Sequence, residues 1–501
     1  MSTTLLFSFV IGYFVILLIV AYYTSRNSNN DSFFIGNRNS NWMLVAFGMI
    51  GTSLSGVTFV SVPGTVGSSG FAYFQVVIGY LAGYMIIAFI LLPLYYRLKL
   101  TSIYNYLHHR FGMVSYKTGA LFFIISRTLG ATARLYLVIN VIQIFILSKL
   151  GVPFGVSTFV ILLMILLYTF EGGVKTIVFT DTLQTTFMLF GLIACTIFIV
   201  NNLPQTNIFS ELSARGMTKV FDTDPNSSSH FLKHILGGVF ITVAMTGLDQ
   251  EMMQKNISVK NLFDSQKNMM TFSIIMALVN FLFLFLGGLL YLFAETHGIK
   301  VANDDLFPTI ALNYMPTALS IIFIIGLISA LFPSADGALT ALTSSFCIDI
   351  LGLRRRENLD ELQRKKIRLT VHFSFAIIFF LIVMGFKEIN NKSIIDVILK
   401  LAGFTYGPLL GLFAFGIFSK RKINDKLALY DCLVAPLLIF GIDFVDNIDW
   451  YQRQLNLDAG TASGIKELSA AVFGSFRIGY EVLIYNGILT FLGLWMISKK
   501  R

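Results

Sequence analysis

Phe47-Gly-Met-Ile-Gly-Thr-Ser-Leu-Ser-Gly56 is the stretch on which the reading of this chain turns. Gly48, Gly51, Thr52, Ser53 and Ser55 crowd the middle of an apolar run, 42–66, that is long enough to cross a bilayer. Glycine in a helix interior costs roughly 0.5–1 kcal/mol relative to alanine, and serine and threonine hydroxyls compete for backbone partners, so this composition weakens a continuous helix. Lipid tolerates broken backbone only where protein buries it or where it lines a cavity. A break here therefore predicts a polytopic helical protein built around an internal site.

The rest of the chain agrees. Of 501 residues, 55% are hydrophobic and only 13% charged, too little polar surface to cover a water-soluble globule. Apolar runs of roughly 20 residues predict about thirteen spans, near 4–24, 42–66, 71–96, 118–148, 154–170, 176–201, 232–253, 268–294, 317–350, 369–386, 393–418, 427–445 and 476–498. The first run has no basic residue before Arg26 and no small-residue cleavage site, so it reads as a retained helix with its amino terminus outside. Alternation from that start makes 25–41, 97–117, 171–175, 254–267, 351–368, 419–426 and the carboxy tail cytoplasmic. Those segments hold roughly two thirds of the 37 Lys and Arg, the positive-inside bias of a cell-membrane protein. The same bias accounts for the formal charge of +10, with no nucleic-acid partner required. Cys195, Cys347 and Cys432 fall in or beside apolar spans, with no disulfide or zinc spacing.

A second interrupted span reads Thr246-Gly-Leu-Asp-Gln-Glu-Met-Met-Gln-Lys255. Interrupted helices at corresponding positions of two halves point to an inverted-repeat transporter. The expected organisation is an extra helix and loop over 1–41, a first five-helix unit over 42–201, an outward loop over 202–231, a second five-helix unit over 232–418, and two further helices with an outward loop over 419–501. The charged stretch 353–368 reads as a surface helix, with Glu361 four residues before Lys365.

Intramembrane charge costs roughly 2.5–3.5 kcal/mol per residue on insertion scales unless it is paired, so Arg127, Arg134, Asp181, Asp249 and Asp336 each need a partner or a function. Asp181 can hold a desolvated cation or pair with Arg127 or Arg134. In the ninth span Ser334, Gly337 and Ala341 form a small face, but Asp336 and Pro333 do not belong to simple packing; Pro333 leaves the Ser329 carbonyl without its helical donor. Ser53, Ser55 and Thr58 offer hydroxyls at the break, and Arg134 offers a guanidinium that binds a carboxylate through parallel hydrogen bonds. Asp249 and Gln250 face the same cavity, or cap or gate a helix. Arg127 and Lys400 read as structural or snorkelling residues.

Taken in order, Ser32-Phe-Phe-Ile-Gly-Asn-Arg38, Ser53-Leu-Ser-Gly56, Tyr106-Leu-His-His-Arg-Phe-Gly112, Gly172-Gly173 with Thr180-Asp181 and Gln184, Asp249-Gln250 with Gln254-Lys255, and the ninth-span segment ending Cys347-Ile-Asp349 resemble the sodium:solute symporter family over nearly the whole chain. Its members include sodium/glucose, proline, iodide and sialic acid transporters. The resemblance implies an all-α, LeuT-type fold of five plus five inverted helices. It implies sodium held by Gly51 and Leu54 of the broken helix and by Ala330 and Ser334 of the ninth span. It implies a second cation beside Asp181, where Asp336 also falls. One departure stands out: Pro333 occupies the place of the first of two adjacent hydroxyl residues, and Asp336, one turn on, supplies charge instead. The sialic acid branch is similar at Ser53, Ser55, Thr58, Gln75 and Arg134, which implies an acidic solute.

The expected activity is sodium-coupled import of a small organic solute by alternating access, with a single chain as the working unit in lipid. Its rivals are symport of a neutral sugar or other solute, and a non-transporting solute sensor on the same scaffold. Six scattered histidines, with no nucleophile elbow or metal spacing, argue against an enzyme.

Overall fold

The computed structural model describes residues 3–25, 33–34, 38–169, 173–204, 207–301, 303–356, 358–388, 394–455 and 457–500. Among them eight unbroken helices are long and apolar enough to cross a membrane, three bent helix pairs form broken spans, and two shorter apolar helices complete the set. Eleven of the thirteen expected spans fall on these long helices and bent pairs; at 154–170 and 476–498 the helices, Phe154–Thr169 and Val482–Met496, are apolar but shorter. Side chains such as Leu278, Ile377 and Leu381 stand outward at more than 60% exposure, which suits a lipid solvent.

In chain order the spans are α1 (Thr3–Ser25), the pair α2 (Trp42–Ser53) and α3 (Gly56–Ser69), α4 (Tyr73–Arg97), α5 (Met113–Leu150), α6 (Phe154–Thr169), α7 (Gly173–Asn201) and the pair α8 (Phe231–Gly247) and α9 (Gln250–Ile257). They continue with α10 (Leu262–Thr296), α11 (Thr317–Ile350), α12 (Glu361–Glu388), the pair α13 (Val397–Thr405) and α14 (Gly407–Phe418), α15 (Asp425–Asp446) and α16 (Val482–Met496). Both expected breaks are present. α2 and α3 meet at 57° across Leu54 and the extended Ser55, and α8 and α9 at 65°.

Three features differ from expectation. A third bend of 44° separates α13 from α14 inside a span read as continuous; Pro408 at the start of α14 brings no amide hydrogen, so the helix cannot bond across Tyr406. The charged run from Glu361 to Arg368 is the first part of the long α12, not a separate surface helix. The outward segment 447–475, expected as loop, contains the helices Ile448–Leu455 and Ala459–Phe473. Ser32, Ile35, Gly36 and Asn37 of the first family motif, and Gly172 of the fourth, lie outside the described residues.

Close backbone contact holds the bundle together where hydrophobic driving force between helices is missing. At Gly238 of α8 an added Cβ would sit 3.0 Å from the Val76 carbonyl carbon and 3.2 Å from Gly79 Cα of α4, and backbone cannot yield as a side chain can. Gly238→Val is therefore expected to cost about 3 kcal/mol through overpacking. Gly130→Ala in α5, with nothing within 4 Å, is the control and should hold the melting temperature in detergent or raise it slightly, since alanine favours the helix.

Candidate ion and solute site

The first break brings α2, α7 and α11 together. Gly48 allows the approach of α7: a Cβ there would lie 3.2 Å from Asp181 Cβ. Gly51 does the same one turn on, its amide donating to Thr185 Oγ1 at 3.1 Å and its Cα facing Pro333. The glycines thus serve packing, and the chain unwinds three residues later. Leu54 N–H still reaches the Ile50 carbonyl at 2.7 Å, but among the described residues no backbone donor reaches the carbonyl of Gly51 or of Leu54. Ala330 and Ser334 are fully buried on α11, and Ser334 Oγ donates to the Leu331 carbonyl at 2.8 Å, which leaves its lone pairs to accept.

At the second break the corresponding carbonyls are satisfied. Tyr95 donates to the Gly247 carbonyl at 2.8 Å and Tyr104 to that of Leu248 at 2.9 Å. Oxygen ligands for a hard cation are therefore left at the first break and not at the second.

Asp181 of α7 is fully buried. Its Oδ2 accepts from Lys255 Nζ at 2.7 Å and from Thr52 Oγ1 at 3.1 Å, while its Oδ1 has no hydrogen-bond partner among the described residues. The expected partners, Arg127 or Arg134, do not reach it. Arg127 is held by Glu251, in a close ion pair, with Asp249 at 3.9 Å. Lys255 takes the place instead, because one helical turn separates it from Glu251 on α9. It is 3% exposed, so it belongs to the buried interior of the bundle and not to an exposed loop of the kind expected over 254–267. Asp336 of α11 accepts from Tyr168 at 2.7 Å and from the Gly337 amide, and it feels the charges of Asp181, Lys255 and Glu251. In this interior Asp181, Asp249, Glu251 and Asp336 outnumber Arg127, Lys255 and Arg134.

Beside this cluster lies a cavity of about 100 Å³. Ser53, Ser55, Thr58 and Arg134 line it, as expected, together with Arg127 and the rings of Tyr73, Tyr80 and Tyr84. Arg134 feels the charges of Arg127, Glu251 and Asp249 but has no ion pair among the described residues. Tyr73 and Leu399 also border a second cavity of about 330 Å³, lined by Ser229, Trp450 and Tyr480 among others, so these two side chains stand between the two spaces.

Three predicted solute residues lie elsewhere. Gln75 donates to the carbonyls of Ala72 and Ser229, at 3.0 and 3.2 Å, and accepts from the Asp222 amide at 3.3 Å, tying the outward loop to α4. On a helix of 3.6 residues per turn it points away from Tyr73 and Tyr80, which share the cavity face. Asp249 caps α9, accepting from the amides of Glu251 and Met252 at 2.9 and 3.3 Å, and also from Tyr406 at 2.8 Å. Gln250 ties α9 to the 101–103 turn through Ile103 N at 2.9 Å and the Thr101 carbonyl at 3.0 Å. Asp249 is thus a helix cap, one of the roles open for this pair, and Gln250 is a tie to the neighbouring turn.

The family model for the sodium:solute symporter family matches residues 33–434. The chain belongs to this family. It is a sodium-coupled solute symporter of the membrane, not an enzyme, and sodium is its cotransported ion. The symporter is 21% identical over 462 residues to the sodium/sialic acid symporter SiaT of Proteus mirabilis, covering 88% of this chain and 90% of that one. It is 25% identical over 406 residues to sodium-coupled monocarboxylate transporter 1 of the mouse, covering 77% and 64%. Among solved structures, a substrate-bound, outward-open Na+-coupled sialic acid symporter superposes with a TM-score of 0.81 at 19% identity, over 99% of each chain. The symporter therefore has the LeuT-like fold of five plus five helices that its motifs implied.

Glu251 and the tyrosines of α4 were not singled out from sequence. Glu251 was legible in principle, since it is an acid inside the same interrupted span as Asp249. Tyr73, Tyr80 and Tyr84 were not, because aromatic residues at helical spacing look the same whether they fill a core or line a cavity.

Proposed function

We propose that this symporter imports a small acidic organic solute across the cell membrane, using the inward sodium gradient and alternating access. The observation that carries the reading is Arg134: a guanidinium with no ion pair among the described residues, set in the wall of the central cavity opposite the hydroxyls of Ser53, Ser55 and Thr58. A guanidinium in a cavity wall with no counter-charge is poorly compensated, and a solute carboxylate meeting it through two parallel hydrogen bonds supplies the missing partner. The names of two relatives, a sialic acid symporter and a monocarboxylate transporter, are in keeping with an acidic solute.

Sodium binds at Gly51, Leu54, Ala330 and Ser334, with Asp181 and Asp336 forming a second, charged position. Cation binding there stabilises the outward-open state and so raises solute affinity. The membrane potential adds about 2.3 kcal/mol per charge per 100 mV. The five-helix units 42–201 and 232–418 move against each other around this site, with the amino terminus outside and the carboxy terminus in the cytoplasm. One chain in lipid is the working unit, and nucleic acid has no part in it.

Uptake into proteoliposomes under an inward sodium gradient tests the reading, with sialic acid, lactate and glucose as probes. An acidic probe should accumulate, and Arg134→Ala should lower that uptake at least about tenfold, the loss of a charge-assisted pair of roughly 1.5–3 kcal/mol. Accumulation of glucose alone, insensitive to Arg134→Ala, would replace the acidic solute with a neutral one. Sodium-independent binding without uptake would mark a sensor.

A further inference from the structure

Three charged side chains that simple ion binding does not require run in a line from the solute cavity to the cation position. Arg127 borders the cavity. Glu251 holds Arg127 through Oε2, while its Oε1 has no hydrogen bond among the described residues and lies 3.6 Å from Lys255 Nζ. Lys255 in turn donates to Asp181 Oδ2 at 2.7 Å and to Thr52 Oγ1 at 2.6 Å, on the last turn before the break. All of these groups are at most 4% exposed. Lys255 is thus an ammonium within reach of two carboxylates, Glu251 and Asp181, and bonded to one of them.

We infer that Glu251 and Lys255 are positioning residues of an ion-pair relay that couples solute binding to cation binding. The relay rests on the proposed acidic solute and on a cation at Asp181. A solute carboxylate entering beside Arg134 competes with Glu251 for Arg127. Glu251, released, draws Lys255 across the 3.6 Å that separates them. Asp181 then loses its internal ammonium, and its carboxylate is left for an external cation. Run in reverse, a cation at Asp181 displaces Lys255 onto Glu251 and frees Arg127 for the solute. Such reciprocity is what linkage demands of two coupled sites. No proton moves and no charge is created; one internal cation trades places with one external cation.

The relay makes opposite predictions for its two members, which a scaffolding role does not. The experiment titrates sodium chloride, at constant ionic strength with choline chloride, into the purified full chain in detergent and reads thermal stabilisation. Glu251→Gln leaves Lys255 with Asp181 alone and should raise the half-saturating sodium concentration about tenfold, within the usual range of allosteric coupling. Lys255→Met empties Asp181 and should lower it by a similar factor. Should that variant not fold, Glu251→Gln with Lys255→Met removes one charge of each sign, and its half-saturation should lie at or below that of the wild type. Movement of both single variants in the same direction, or of neither, overturns the relay. Asp181→Asn separates that failure from failure of the underlying reading: if the wild type responds to sodium and Asp181→Asn keeps only a weakened response, that of the position at Gly51, Leu54, Ala330 and Ser334, the cation position at Asp181 stands whatever the relay does. A wild type indifferent to sodium overturns both.

Discussion

Asp181→Asn is expected to lower sodium-driven uptake by about two orders of magnitude while leaving the protein folded. The amide keeps the shape of the carboxylate, and its oxygen still accepts from Thr52 and Lys255, both of which reach Asp181 Oδ2 in the wild type. What is lost is the charge. A unit charge about 4 Å away, at an effective dielectric near 20, is worth about 4 kcal/mol, or roughly three orders of magnitude in affinity. Lys255 already neutralises part of it, so the smaller figure is expected. Asp336→Asn should be milder, about tenfold, because Asp336 spends its oxygens on Tyr168 and on the Gly337 amide and acts on the cation through its charge. The sodium dependence of initial uptake rates in proteoliposomes decides between them. If Asp336→Asn abolishes transport and Asp181→Asn retains normal sodium dependence, the cation sits against α11 and the assignment of Asp181 is wrong.

The sequence made the breaks readable for one reason and hid the charge network for another. Gly48, Gly51 and the hydroxyls after them are crowded into ten residues of one span, a density that weakens a continuous helix, and a break in lipid needs an internal site to face. Lys255 is the contrary case. Read along the chain it lies just beyond an apolar run and is counted with the cytoplasmic lysines; only the 65° turn between α8 and α9 carries it back inside, against Asp181. Gln75 failed for a related reason. Its spacing from the break is right, but α4 presents Tyr73 and Tyr80 to the cavity and turns Gln75 toward the outward loop. The bend at Tyr406 is a different sort of miss, since Gly407-Pro408 is a plain local break in a run judged by its apolar length alone. Helix number and place are sums over many residues and survive local error. The partner of a given charge depends on a single turn.

Arg127→Met should destabilise the protein more than any other single change at the site, by about 3–5 kcal/mol, the usual cost of removing one partner from a buried pair. Arginine keeps its proton even when buried, so an interior arginine needs a partner, whether a side chain or a bound anion. Here it is paired: Glu251 bonds it directly and Asp249 stands 3.9 Å from its Nε. Removing the guanidinium leaves Glu251 with Lys255 at 3.6 Å as its nearest opposite charge, and deprives Asp249 of a counter-charge at the cap of α9. Removing both members is another matter. Replacing a buried pair by apolar groups of similar volume is often neutral, so Arg127→Met with Glu251→Leu should recover most of the loss. The leucine has room beside the hydrogen-only α-carbon of Gly337, which Glu251 already covers. A thermal-unfolding cycle of the two single variants and the double should return a coupling energy above about 1.5 kcal/mol, well beyond the additivity of independent sites. Additive losses would mean that the arginine is held by Asp249 and the cavity wall, and that Glu251 is free to serve Lys255 alone. The stable double variant has a use beyond the cycle: with Arg127 and Glu251 gone but Lys255 and Asp181 kept, it should still bind sodium, while the solute no longer changes how tightly.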